Sequence, residues 1–298
     1  MYLINRIILI IFFAVAVNYI NAQDFSKKFR EFGEKKDTVA QSKLLKEWET
    51  ASPKDPELYV ALFNFYVQKS MQDLITLEQK PQKEALQLSD STGKAVGYMN
   101  FSTQYQSDIL QKAFEYIDKG IGLHPSRLDM RFGKIYMLGQ AENFEMFTKN
   151  IIETIEYGNS IKHAWLWKEG EPMENAKGFL IESMQDYINT IYNAEDNALL
   201  PYMRQISETV LKYEPNHVIS LANIALTYAI EENYDKALLY LLKAEKIDPK
   251  DVIVLNNIAE IYIRKKDKTN AKLYYEKIIK AGSKEDADNA RARIKELN

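Results

Sequence analysis

Few side chains of this sequence could do chemistry. There are three histidines, His124, His163 and His217, and no cysteine. A helical zinc site needs ligands at i, i+4 spacing; no histidine pair has it, and no HExxH occurs. Without cysteine there is no thiolate ligand, no nucleophilic thiol and no disulfide. The signatures of a nucleophile elbow, a glycine-rich phosphate loop and a calcium loop are missing as well. One segment concentrates reactive types. "GNSIKHAWLWKEGEPMENAKG" (158–178) holds Trp165 and Trp167 beside Glu169, Glu171 and Glu174. Two carboxylates held across a cleft can hydrolyse a glycoside, and tryptophan faces pack on the apolar faces of sugars. The plainer reading is that the tryptophans pack this segment onto its neighbours and the glutamates are solvated. No convergent catalytic set emerges, so the sequence reads as a non-enzyme with no cofactor and no metal.

The elements that must position these residues are helices. The chain has 298 residues, 46% of them hydrophobic and 27% charged, which suits a folded protein. With only 11 glycines and 8 prolines, turn punctuation is too sparse for a β-sandwich or an α/β enzyme. The net charge of −3 gives no basic excess for a nucleic-acid backbone. The first 22 residues, one cation (Arg6), an apolar run and a terminal Ala22, have the layout of a signal peptide. An uncleaved anchor is the rival reading. With no cysteine for lipoprotein acylation, the expected product is periplasmic or secreted, without stable membrane insertion after cleavage.

"NIALTYAI" (223–230) recurs as "NIAEIYIR" (257–264), an offset of 34 residues. The same shift carries Ala237 onto Ala271 and Tyr240 onto Tyr274. In the unit 218–251, Leu221, Ile224, Ala225 and Tyr228 mark a first helix. Tyr234, Ala237, Leu241 and Ala244 mark a second, and Pro249 closes the unit. Leu255, Ile258, Ala259, Tyr262, Ala271, Tyr275 and Ile278 repeat the pattern in 252–285, where Ser283 replaces the proline. Alanines two turns apart share a face, so another helix can lie close against them. This pattern resembles the tetratricopeptide repeat (TPR) family. Weaker copies lie at 105–126, 127–158 and 179–215, and a further stripe at Tyr59, Leu62, Phe63 and Tyr66.

The resemblance implies an all-α fold: a right-handed α/α superhelix of about five helix pairs, with 284–298 as a polar capping helix. Degenerate repeats are expected over 23–158, with an insertion at 68–104 read as a short helix and a polar loop. A Trp-containing insertion (159–178) and the clearer repeats (179–298) follow. It also implies a concave surface for a protein or peptide partner, offering Asn223, Leu226, Ile230, Asn257, Glu260 and Arg264. Some TPR domains hold a partner's terminal carboxylate with Lys and Asn; here Ala222 and Asn256 stand at the lysine positions, so no such clamp is expected. Asn223 and Asn257 equally suit hydrogen bonds between adjacent units. The function that follows is an exported scaffold or adaptor. The alternative is a carbohydrate- or cell-wall-binding accessory protein using Trp165 and Trp167, for which a glycan would be the ligand.

Overall fold

The computed structural model describes residues 24–81 and 85–297; the expected signal segment, 1–22, lies outside them. The described chain is mostly helical. It divides into two compact units, one running to Lys134 and adding Leu166–Pro172, the other comprising Ile135–Trp165 and the residues from Met173 onward.

The first unit opens with α1 (24–34) and α2 (Thr38–Ala51). On α2, Gln41, Leu44, Leu45 and Trp48 fall at helical spacing and are buried. Trp48 stacks on Phe25 with ring centroids 5.6 Å apart. Its indole N–H donates to Asp55 at 2.8 Å. The same carboxylate accepts from the Glu57 amide and so caps α3 (Pro56–Ser70), which has proline in its first turn. Helix α4 (Ser107–Leu123) packs along α3. Gly120 makes that crossing possible, because a Cβ there would sit 2.7 Å from the Cβ of Tyr59.

Between α3 and α4 lies a correction to the sequence reading. Of the expected insertion 68–104, residues 68–70 end α3, and the described residues beyond them do not form a short helix and a loop. They build a three-stranded antiparallel sheet of β1 (Met71–Glu78), β2 (Ala85–Ser89) and β3 (Ala95–Tyr105), in the order β1-β3-β2. The register pairs Ile75 with Phe101, Leu77 with Met99 and Leu86 with Met99. Side chains of opposed residues share a face, so Ile75, Leu77, Leu86 and Phe101 make one apolar face, and all four are exposed. On the other face Asn100 is buried, and its amide donates to the Lys80 carbonyl at 3.2 Å. The Gln106 amide donates to Ser70 at 2.8 Å, closing the sheet where it leaves the helix pair.

Helix α5 (Leu128–Gln140) begins in the first unit and ends in the second. Near its start Arg127 is 2% exposed, with ion pairs to Glu57 at 2.8 Å and Asp129 at 2.7 Å. Segment 166–172 is fastened beside it. The Leu128 amide donates to Leu166, and the Glu169 amide to the Glu57 carboxylate.

The second unit continues with α6 (Phe144–Ser160), α7 (Ala176–Tyr192), α8 (Leu200–Tyr213), α9 (Val218–Ile230), α10 (Tyr234–Ile247), α11 (Val252–Arg264), α12 (Lys268–Ala281) and α13 (Lys284–Leu297). The repeated alanines are core residues: Ala225 with Ala259 and Ala237 with Ala271 are each at most 1% exposed, as is Ala244, whose counterpart is Ile278. Two equivalent tyrosine pairs stack across their helix pairs, Tyr228 on Tyr240 at 5.9 Å and Tyr262 on Tyr274 at 5.7 Å. Across both units, the turns inside the pairs share one device. Lys36, Glu142, Glu195, Glu232 and Lys266 all have φ between 55° and 62°, the left-handed region. Each is followed by Asp or Asn, whose side chain caps the next helical segment.

Candidate interaction groove

Helices α9 and α11 place the sequence-predicted partner residues side by side. Leu226 and Ile230 are one turn apart on α9; Asn257, Glu260 and Arg264 follow i, i+3, i+7 spacing on α11. These five, with Ala222, line a cavity of about 450 Å³. Its strip of apolar wall includes Leu226, which is 39% exposed.

Asn223 is placed elsewhere. It is buried, and its amide donates to the Gln185 side chain of α7 at 2.9 Å. That is a bond between successive helix pairs, the alternative role considered for it. At the same sequence separation from Asn257 stands Ile219, which offers no acceptor, and Asn257 lines the cavity instead.

Glu260 is held from behind. It accepts from the Tyr275 hydroxyl at 2.6 Å and from the Arg293 guanidinium at 2.5 Å. Burial pushes its pKa up; hydrogen bonds from Tyr275 and Arg293, with the charges of Arg293 and Arg264, outweigh this and hold it below the ordinary carboxylate value. The same bond leaves Tyr275 high, up to about 12, with burial the larger cause. Arg293 lies on α13, so the capping helix is tied to the cavity wall. Nothing in the local sequence signals this, because the partners are 33 residues apart. Arg264 is exposed at the rim. The groove thus offers an apolar strip, an amide, a guanidinium, a carboxylate whose charge is offset and a second carboxylate, Glu232.

The tryptophans are placed differently from the carbohydrate reading. Trp165 is 1% exposed, against Tyr157 at 5.5 Å and over Gly158, where even a Cβ would come within 3.1 Å of the indole. It presents no ring face to a sugar. Trp167 is half-buried, edge-on to Phe132 at 6.1 Å. Glu169, Glu171 and Glu174 are exposed. The histidines sit at helix corners: His124 Nε2 lies 2.7 Å from the Lys54 carbonyl oxygen, and His217 Nδ1 2.8 Å from Ser220 Oγ.

The tetratricopeptide repeat family matches residues 219–251 and 253–281. No curated protein matches the sequence. Similar solved structures include YrrB, a TPR protein with an unusual peptide-binding site. It is 16% identical over 83% of this chain and 97% of that one, with a TM-score of 0.41. A tetratricopeptide repeat protein of Parabacteroides merdae is 14% identical over 92% and 85%, with a TM-score of 0.37. The Sgt2 TPR domain of Aspergillus fumigatus is 22% identical over 39% and 80%, with a TM-score of 0.32. The family match coincides with α9–α12, whose alanine crossings and stacked tyrosines repeat from pair to pair, so residues 219–281 of this chain carry two tetratricopeptide repeats.

Proposed function

We propose that this protein is an exported, non-enzymatic scaffold whose α9/α11 groove holds a segment of a partner polypeptide. TPR proteins generally mediate protein–protein interaction and are typically not enzymes. The single observation carrying the reading to this site is the cavity of about 450 Å³ that gathers Leu226, Ile230, Asn257, Glu260 and Arg264. An extended or helical segment would lay apolar side chains along Leu226 and Ile230 and present polar groups to Asn257 and Arg264. Export is supported by the layout of residues 1–22.

The test is photocrosslinking from position 230, also on the groove wall, in cells, followed by mass spectrometry of the captured chains. A defined partner set, lost in Leu226→Glu and in Arg264→Ala, is the expected result. An unchanged set in both variants, or capture of nothing above background, refutes the groove. N-terminal sequencing of the exported protein checks cleavage after Ala22.

A further inference from the structure

A second groove lies in the first unit, outside the matched repeats. Val39, Ser42, Lys43 and Lys46 fall at i, i+3, i+4, i+7 on α2, one exposed helical face. Phe65, Gln68 and Lys69 fall at i, i+3, i+4 on α3. The two rows, with Thr38, line a cavity of about 510 Å³. Val39 is 80% exposed, and Phe65 forms a buried floor. All three lysines are exposed on the rim. Lys43 has one acidic neighbour, Glu47, at 3.9 Å. No ion pair engages Lys46 or Lys69 among the described residues. The cavity itself is lined by no acid.

We infer that this α2/α3 groove is a docking site for an acidic segment of a partner polypeptide, with a large apolar side chain set between its carboxylates. Charge complementarity identifies the occupant. Three cations around an apolar floor select carboxylates that flank a hydrophobic residue, and they steer its approach. Gln68, Ser42 and Thr38 add groups that both donate and accept, as a peptide backbone requires. An anionic lipid headgroup would use the lysines alone. The α9/α11 groove has one cation, Arg264, and two carboxylates, Glu232 and Glu260, on its wall, so the two sites differ in the segments they fit.

The experiment is fluorescence anisotropy on the full chain with a fluorescein-labelled peptide of repeated Glu-Glu-Leu-Phe units. A Lys-Lys-Leu-Phe peptide serves as the sign control, and phosphatidylglycerol vesicles as the lipid arm. The acidic peptide is expected to bind. Its affinity should fall at least tenfold in the triple variant Lys43→Glu, Lys46→Glu, Lys69→Glu, and again in Val39→Asp, and it should weaken as salt is raised. Arg264→Ala should leave this binding unchanged, which separates the result from the fate of the α9/α11 groove. The substituted side chains are exposed, and retained helicity by circular dichroism confirms folding. Undiminished peptide binding by the triple variant, equal binding of the basic peptide by the wild type, or lysine-dependent binding of vesicles without binding of the peptide would each overturn the inference.

Discussion

Asn223 and Asn257 occupy the same place in successive repeats and have different duties. The first bridges to Gln185, and the second lines a cavity. Asn223→Ala would leave the half-buried Gln185 carbonyl without its donor, so we expect a loss of about 1–2 kcal/mol in a denaturant titration. Asn257→Ala should leave the denaturation midpoint within error and weaken only partner capture. Equal stability losses at both positions would contradict this division. Small core residues make a sharper test. Ala237 is fully buried where α10 packs on α9, and Ala237→Leu should overpack that crossing by about 1–3 kcal/mol, read as a lower melting temperature. These alanines were legible in the sequence because their spacing repeats with the helices. The burial of Trp165 was not, since one tryptophan near a turn carries no periodicity to say which way it faces.

At the level of elements, the helices were legible and the sheet was missed. Helices α9 to α12 announce themselves by a recurring pattern, a signal spread over many residues. Strand β1 alternates Ile75 and Leu77 with Thr76 and Glu78 over a short span, and its apolar face is exposed, so no core demanded it. The turns carried a quieter signal. Lys36-Asp37, Glu142-Asn143, Glu195-Asp196, Glu232-Asn233 and Lys266-Asp267 all pair a left-handed residue with a cap, and only the repetition in space makes the rule visible. An L-residue is strained there and glycine is not. Glu232→Gly and Lys266→Gly should therefore each raise stability by about 0.5–1 kcal/mol, net of the added freedom of the unfolded chain. Asn233→Ala should cost about 1 kcal/mol through loss of its bond to the Lys236 amide. Thermal melts of the three variants check both signs.

For the molecule as a whole, stability should depend on pH through two histidines of the second unit. Burial lowers the pKa of His163; Lys177 adds to this and Glu214 opposes it. Burial also lowers His217, again against Glu214. The unfolded chain, with imidazoles near their ordinary 6.5, then binds more protons than the folded one. Their contribution is complete above that value and is lost as pH falls below it. The melting temperature should drop between about pH 7.5 and about pH 5, and the double variant His163→Asn, His217→Asn should flatten that drop. A slope unchanged by the double variant would assign it to other groups.

The tie between Arg293 and Glu260 reaches further than the packing of one helix end. Loss of α13, Lys284–Leu297, would strip Glu260 of the Arg293 counter-ion and leave two carboxylates, Glu232 and Glu260, against the single cation Arg264 on the cavity wall. Segments rich in carboxylates would then be repelled where they had been tolerated, and lysine- or arginine-bearing ones admitted. If the groove holds partner segments as proposed, α13 would bias the sign of charge it accepts, and its loss would switch clientele rather than simply weaken the fold.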